Sequence, residues 1–292
     1  MSLPNPPQLG IRMLPEGSYQ GQVVVITGGG TGLGRAMAVE FARLGASVGI
    51  LSRKEEHRAK GIAAVQEAGG KAAGFAVDVR DAEQVKAAFD AIEAELGPIS
   101  VLINNAAGNF ASPAEDLTPN AWRSVLQIVL DGTFLCSREF GRRNLARQSP
   151  GAILNIGASY AWTGGPGAAH SAAAKAGVIN LGMTLAVEWA PYGIRVNTLV
   201  PGPFPHDDFP EVLKKRFGSD KGGSRVPAGR VGELQELGWA ATYLCSPFAS
   251  FVTGLTFVID GGYWLRRGLA MPEVTPVREQ LHAGPFDPSK GT

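Results

Sequence analysis

The chain has 292 residues, 45% hydrophobic and 18% charged, enough apolar material for a large core and too much for a disordered protein. Its formal net charge of +1 argues against a nucleic-acid partner, which needs a basic face. Cys136 and Cys245 form neither a metal spacing nor a disulfide framework, and no apolar run approaches the ~20 residues that span a bilayer, so a soluble, cytoplasmic, metal-free protein is expected.

Residues 1–20 are proline-spotted and read as an irregular N-terminal arm. VVVIT (23–27) then reads as a buried strand, with a helix over 33–44 that stops at Gly45. SVGIL (47–51) is a second strand, 54–68 a polar-faced helix, AAGFAV (72–77) a third strand and 82–96 the next helix. The series continues with strand SVLIN (100–104), one long helix over about 119–147, strand AILNIG (152–157) and a helix over 169–189. Strand IRVNTLV (194–200), a helix over 233–245 and strand TFVI (256–259) complete it. Seven such strands alternating with helices predict one α/β domain over 21–265, a doubly wound (Rossmann) parallel sheet with helices on both faces. Ligands then meet the carboxyl ends of the strands. The irregular segment 202–229 is too long for a plain connector and reads as a substrate-covering loop, with 266–292 a C-terminal tail.

The first strand runs into TGGGTGLG, from Thr27 to Gly34. Glycines after a first strand and before a first helix let the backbone approach a pyrophosphate, whose charge meets the free N–H groups of the helix. At the end of the second strand, a carboxylate would select a ribose 2′-hydroxyl and a basic group a 2′-phosphate. Here stand Ser52, Arg53 and Lys54, which point to NADPH, although basic residues also begin solvated helices. Asp78 is placed to receive the adenine amino group, and NNAAG (104–108) to flank the ribose and nicotinamide.

These motifs, with a helical Lys175, Pro201-Gly202 and DGG (260–262), resemble the short-chain dehydrogenase/reductase family. The resemblance implies cofactor contacts from Gly28, Gly30, Thr31, Gly32, Leu33, Gly34, Arg53, Asp78, Asn105 and Lys175, and from Pro201, Gly202, Pro203 and Phe204. The family's usual catalytic pattern, however, fails. Its tyrosine lies four residues before the lysine, where this chain has Ser171; its serine position holds Ala158, and its helical asparagine position holds Val129.

Tyr160 lies instead fifteen residues before Lys175, and Asn109 lies in the loop after the fourth strand. NNAAGNF, SRK, the Tyr160–Lys175 spacing with Ser171, and PGP resemble the 2,4-dienoyl-CoA reductases, most of all the mitochondrial type. That resemblance makes Tyr160 and Asn109 hydrogen-bond donors to a thioester oxygen. It puts Lys175 on the nicotinamide ribose and Ser171 beside the substrate, and Arg80, Phe110 and Thr118 along the acyl or CoA channel. It also implies an acyl-CoA partner, a role in fatty acid β-oxidation and a homotetramer, in keeping with the sparsely charged surfaces of helices 119–147 and 169–189.

Plainer readings stand beside these. Tyr160 can pack its ring on the sheet edge, Asn109 can brace its own loop, and Ser171 can be just a small residue. His170 reads as a capping or solvated residue, and Trp122, Trp162 and Trp189 as packing residues, with Trp162 near enough to the site to touch an acyl chain. The basic residues Lys214, Lys215, Arg216, Lys221 and Arg225 suit CoA phosphates or a solvated face equally. The rival activities are a reductase of 3-oxoacyl or 2-enoyl thioesters, and an idle NADPH-binding sensor or scaffold.

Overall fold

β1 (Val23–Thr27) is buried along its whole length because helices cover both of its faces. Successive side chains leave a strand on opposite sides. Val24 and Ile26 accordingly join one core cluster, and Val23 and Val25 the other. The computed structural model describes residues 3–207, 209, 223–265, 277 and 279.

The remaining strands are β2 (Ser47–Leu51), β3 (Lys71–Phe75), β4 (Ile99–Asn104), β5 (Gly151–Ile156), β6 (Ile194–Pro201) and β7 (Thr256–Ile259). They pair in parallel in the order β3-β2-β1-β4-β5-β6-β7. The helices are α1 (Gly32–Arg43), α2 (Glu55–Glu67), α3 (Ala82–Leu96), α4 (Pro119–Leu126), α5 (Gly132–Arg147), α6 (Tyr160–Thr163), α7 (Ala169–Trp189) and α8 (Leu234–Cys245). On one face, Met37 and Phe41 of α1, Val65 of α2 and Leu237 and Leu244 of α8 pack on the sheet. On the other, Phe89 and Ile92 of α3, Cys136 and Phe140 of α5 and Leu185 of α7 do so. The doubly wound parallel sheet is therefore as the alternation of runs predicts. Strand order reverses between β1 and β4, which opens a ligand crevice at their carboxyl ends.

Three local expectations are corrected. The single helix over 119–147 is interrupted by a π-helical segment, Gln127–Asp131. Thr133 donates its hydroxyl to the Val129 carbonyl at 2.7 Å, a back-bond that bends helices. A Cβ on Gly132 would lie 2.7 Å from Val79 Cγ2, so only glycine lets the widened turn sit this close to its neighbour. The third strand ends at Phe75 rather than 77, leaving Asp78 on the following loop. Tyr160 opens the one-turn helix α6 instead of lying in a loop.

The N-terminal arm is fastened to the domain. Leu3 N–H donates to the Ala228 carbonyl at 2.8 Å, and Gly10 N–H to Gln235 Oε1 at 2.6 Å. Tyr19 is fully buried, edge-on to Phe41 with ring centroids 4.9 Å apart, and its hydroxyl donates to the Thr242 carbonyl at 2.6 Å. Tyr19→Phe strands that carbonyl in an apolar site and is expected to cost about 1–2 kcal/mol of stability, read as a lower urea midpoint at unchanged slope.

Lys214, Lys215, Arg216 and Lys221 of the predicted substrate loop lie outside the described residues, as does the tail beyond Leu265 apart from 277 and 279. Among the described residues no helix is long and apolar enough to cross a membrane, and no three His, Cys, Asp or Glu side chains gather as a metal site.

Candidate active site

The glycine loop joins β1 to α1 with Gly28 at φ +66° and Gly32 at φ +49°, conformations that L side chains seldom adopt. Its other glycines serve packing. A Cβ on Gly30 would lie 2.0 Å from the His57 carbonyl of α2, and one on Gly34 would lie 2.3 Å from the Gly28 carbonyl. The loop is braced from β4. Asn105 Nδ2 donates to the carbonyls of Thr27 at 3.0 Å and Gly28 at 3.2 Å, while Thr27 Oγ1 accepts from Asn105 N–H at 2.9 Å and Ala106 N–H at 2.8 Å.

Between this loop and the ends of β2 and β4 lies a cavity of about 390 Å³. Gly28, Thr31, Gly32, Leu33, Arg53, Asp78 and Asn105 line it, so the structure brings together half of the expected cofactor residues. Pro201, Gly202 and Pro203 continue and follow β6 outside this lining, and Phe204 is 2% exposed within the core beneath Gly232. His57 and His206 also line the cavity. His206 lies against Gly32, whose added Cβ would be 2.8 Å from the imidazole Cε1, and the next residue, Asp207, pairs with Arg35 of α1 at 3.0 Å. A histidine in the irregular chain after β6 carries no sequence signal for that position.

At the end of the cavity after β2, Arg58 of α2 donates to the carbonyls of Ser52 at 2.8 Å and Arg53 at 3.0 Å, which fixes the backbone that carries Arg53. The Arg53 side chain is 61% exposed, and its guanidinium lies 4.0 Å from Asp78 Oδ2. Arg80 grips the same carboxylate from Nε at 2.9 and 3.1 Å. The Arg80 hydrogen bond is the main influence that holds the Asp78 carboxyl below the usual carboxylate range. Arg80 thus stands beside the Arg53–Asp78 end of the crevice. Thr118 caps α4 by accepting from Ala121 N–H at 3.2 Å. A crevice of this shape at the switch point, with free N–H groups at the start of α1 and a cationic rim, fits a dinucleotide.

At the other end, α7 presents Ser171 and Lys175, both buried. Lys175 Nζ donates to the Ile156 carbonyl at the end of β5, and burial pushes the ammonium down to about 8. Tyr160 reaches Ser171, hydroxyl to hydroxyl, at 3.0 Å. Burial raises the Tyr160 pKa, offset in part by the Ser171 contact, so the phenol keeps its proton at neutral pH. Val129, in the π-helical segment, is 1% exposed and offers no amide to the site.

The loop after β4 carries Asn109, exposed, and Phe110, which stands edge-on to His170 with centroids 4.5 Å apart. Ser112 N–H donates to the Gly167 carbonyl at 2.9 Å. The asparagine loop and the segment that carries Tyr160 are thereby tied together at the start of α7. His170 itself is buried, its Nδ1 accepts the Ser171 N–H at 2.8 Å, and burial lowers its pKa, so the imidazole is neutral.

The chain thus joins a switch-point crevice that fits a dinucleotide to a buried lysine on α7. The family model described as enoyl-(acyl carrier protein) reductase matches residues 28–264. The chain belongs to the short-chain dehydrogenase/reductase family. As a member it is an oxidoreductase that uses a nicotinamide cofactor. It is 44% identical over 253 residues to the probable 2,4-dienoyl-CoA reductase [(2E)-enoyl-CoA-producing] of Bacillus subtilis (strain 168), covering 84% of this chain and 97% of that one. The peroxisomal 2,4-dienoyl-CoA reductase [(3E)-enoyl-CoA-producing] of Rattus norvegicus is 39% identical over 252 residues, 84% of this chain and 85% of that one. Among solved structures, a short chain dehydrogenase from Bacillus anthracis superposes with a TM-score of 0.78 at 42% identity, covering 85% of this chain and 98% of that one.

Proposed function

We propose that this reductase converts 2,4-dienoyl-CoA thioesters to 3-enoyl-CoA with NADPH, in the breakdown of unsaturated fatty acids. One observation carries the reading: the phenol near Lys175 is the displaced, protonated Tyr160 held by Ser171, a donor rather than an acid–base tyrosine. The relatives from B. subtilis and rat support the substrate class. Arg53 and Lys54 at the cavity rim, with no carboxylate at the end of β2, support the 2′-phosphate.

NADPH, held by the glycine loop and Arg53, would supply the hydride that the far carbon of the diene accepts. The electrons then gather on the thioester oxygen as a dienolate, and what the site must provide is donors aimed at that oxygen. Tyr160 and Asn109 supply them, with Ser171 orienting the phenol and Lys175 holding the nicotinamide ribose. Preorganised donors of this kind each contribute on the order of 3 kcal/mol to the transition state. Water delivers the proton to the carbon next to the thioester, which leaves the double bond at position 3. Exposed Phe134 of α5 and Met183 and Val187 of α7 support the homotetramer.

The name of the B. subtilis relative specifies a 2-enoyl product, which would need protonation two carbons further out. NMR of the product from 2,4-hexadienoyl-CoA tests the choice: a 3-enoyl thioester is expected, and a 2-enoyl thioester refutes the protonation step. The family description, enoyl-(acyl carrier protein) reductase, favours a 2-enoyl thioester reductase as the second reading. Activity should remain level from about pH 6 to 7.5 and fall as Lys175 loses its proton through about 8. Lys175→Met should remove that limb along with most of the rate. For stability the sign is opposite. Between about 8 and the ordinary lysine value near 10.4 the unfolded chain holds a proton the folded chain has lost, so Lys175 contributes a rise in stability with pH there.

A further inference from the structure

Two residues beyond Tyr160 on the same single turn of helix, Trp162 keeps 40% of its surface exposed. Its ring stands edge-on to Trp264, with centroids 5.3 Å apart and planes at 88°. Trp264 is carried by the turn Tyr263–Leu265 after β7. That turn is fixed by Asp260, which accepts from Gly262 N–H and Trp264 N–H, each at 2.8 Å. Leu265, 62% exposed, extends the apolar surface. The pair is unnecessary for placing the phenol, which Ser171 already holds. What it adds is a partly open aromatic pair carried on the same helical turn as the phenol, its rings joined to each other rather than to the Tyr160 hydroxyl.

We propose that the Trp162–Trp264 pair is one wall of a site for the apolar tail of the acyl thioester, so that the enzyme selects medium and long chains over six-carbon ones. The inference rests on the dienoyl-thioester reading and names the part of that substrate beyond the diene. Each methylene buried against such a wall raises affinity about fourfold, so a ten-carbon substrate gains over a six-carbon one even if only part of its tail is covered.

The test compares kcat/KM for 2,4-decadienoyl-CoA and 2,4-hexadienoyl-CoA in the wild type, Trp162→Ala, Trp264→Ala and the double variant. The decadienoyl-to-hexadienoyl ratio should fall about tenfold in each single variant and little further in the double, because the two rings form one wall. Trp162→Phe should keep most of the preference. A ratio that stays at its wild-type value in both alanine variants would overturn the proposal and leave the pair a purely structural prop for α6. Calorimetric binding of saturated decanoyl-CoA and hexanoyl-CoA to the wild type needs no turnover and separates the two readings. Tighter decanoyl binding with no dienoyl turnover keeps the tail site and sinks the dienoyl reading. Dienoyl turnover with equal binding of the two saturated thioesters sinks the tail site and keeps the dienoyl reading.

Discussion

Tyr160→Phe is expected to lower kcat for a 2,4-dienoyl thioester by about 100- to 1,000-fold, the cost of removing one oxyanion donor from a preorganised site. The substitution keeps the ring that fills the space beside Gly165 and deletes only the hydroxyl that meets Ser171 at 3.0 Å. Asn109→Ala should cost a comparable factor, and the double variant less than the product of the two, because both donors serve one developing charge. Ser171→Ala should cost less than either, since Ser171 orients the phenol. Steady-state kinetics with 2,4-hexadienoyl-CoA reads all four variants, and NADPH titration by fluorescence checks that the cofactor site is intact. Full activity in Tyr160→Phe would remove the phenol from the chemistry. A loss made good at low pH, as removal of a proton-donating tyrosine would give, would contradict a donor that keeps its proton.

The second large effect concerns cofactor choice. Arg53→Asp should weaken NADPH by about 100-fold or more, through loss of a charge-assisted contact and repulsion of the 2′-phosphate, while NADH changes by only about a few-fold. The asymmetry is the informative part. Arg53 is 61% exposed, with its guanidinium 4.0 Å from Asp78, so salt screens it more than a buried group, and the titration belongs at constant ionic strength. Equal losses for the two cofactors would show that Arg53 does not read the phosphate. Arg80→Ala is a useful companion, because it frees the Asp78 carboxylate that Arg80 holds through Nε at 2.9 and 3.1 Å.

The sheet and its helices are legible in the sequence where one periodicity governs a whole segment. β1, β2, β7, α3 and α7 occupy the residues that apolar runs, caps and glycines mark out. Departures arise where a distant contact decides. The π-helical segment at Gln127–Asp131 carries a local back-bond from Thr133 to Val129, but the distant contact is Gly132 against Val79, which no pattern within 119–147 signals. The site divides in the same way. The glycine loop and Arg53 follow strand ends, Asp78 lies on the loop after β3 and Lys175 on a helix, and all four follow from order along the chain. The candidacy of Tyr160 and Ser171 follows from a spacing, though the hydrogen bond between them does not. Neither Arg80 on Asp78, nor His206 on Gly32, nor Trp264 on Trp162 does, because each is brought in by a loop whose path tertiary packing sets.

In the proposed function the displaced tyrosine marks a conjugated thioester as the substrate. NADPH oxidation, followed with 2,4-hexadienoyl-CoA beside acetoacetyl-CoA and crotonyl-CoA, tests it most directly. Turnover of the dienoyl thioester, with the other two at background, is the predicted result; turnover of acetoacetyl-CoA or crotonyl-CoA without the dienoyl thioester would contradict it.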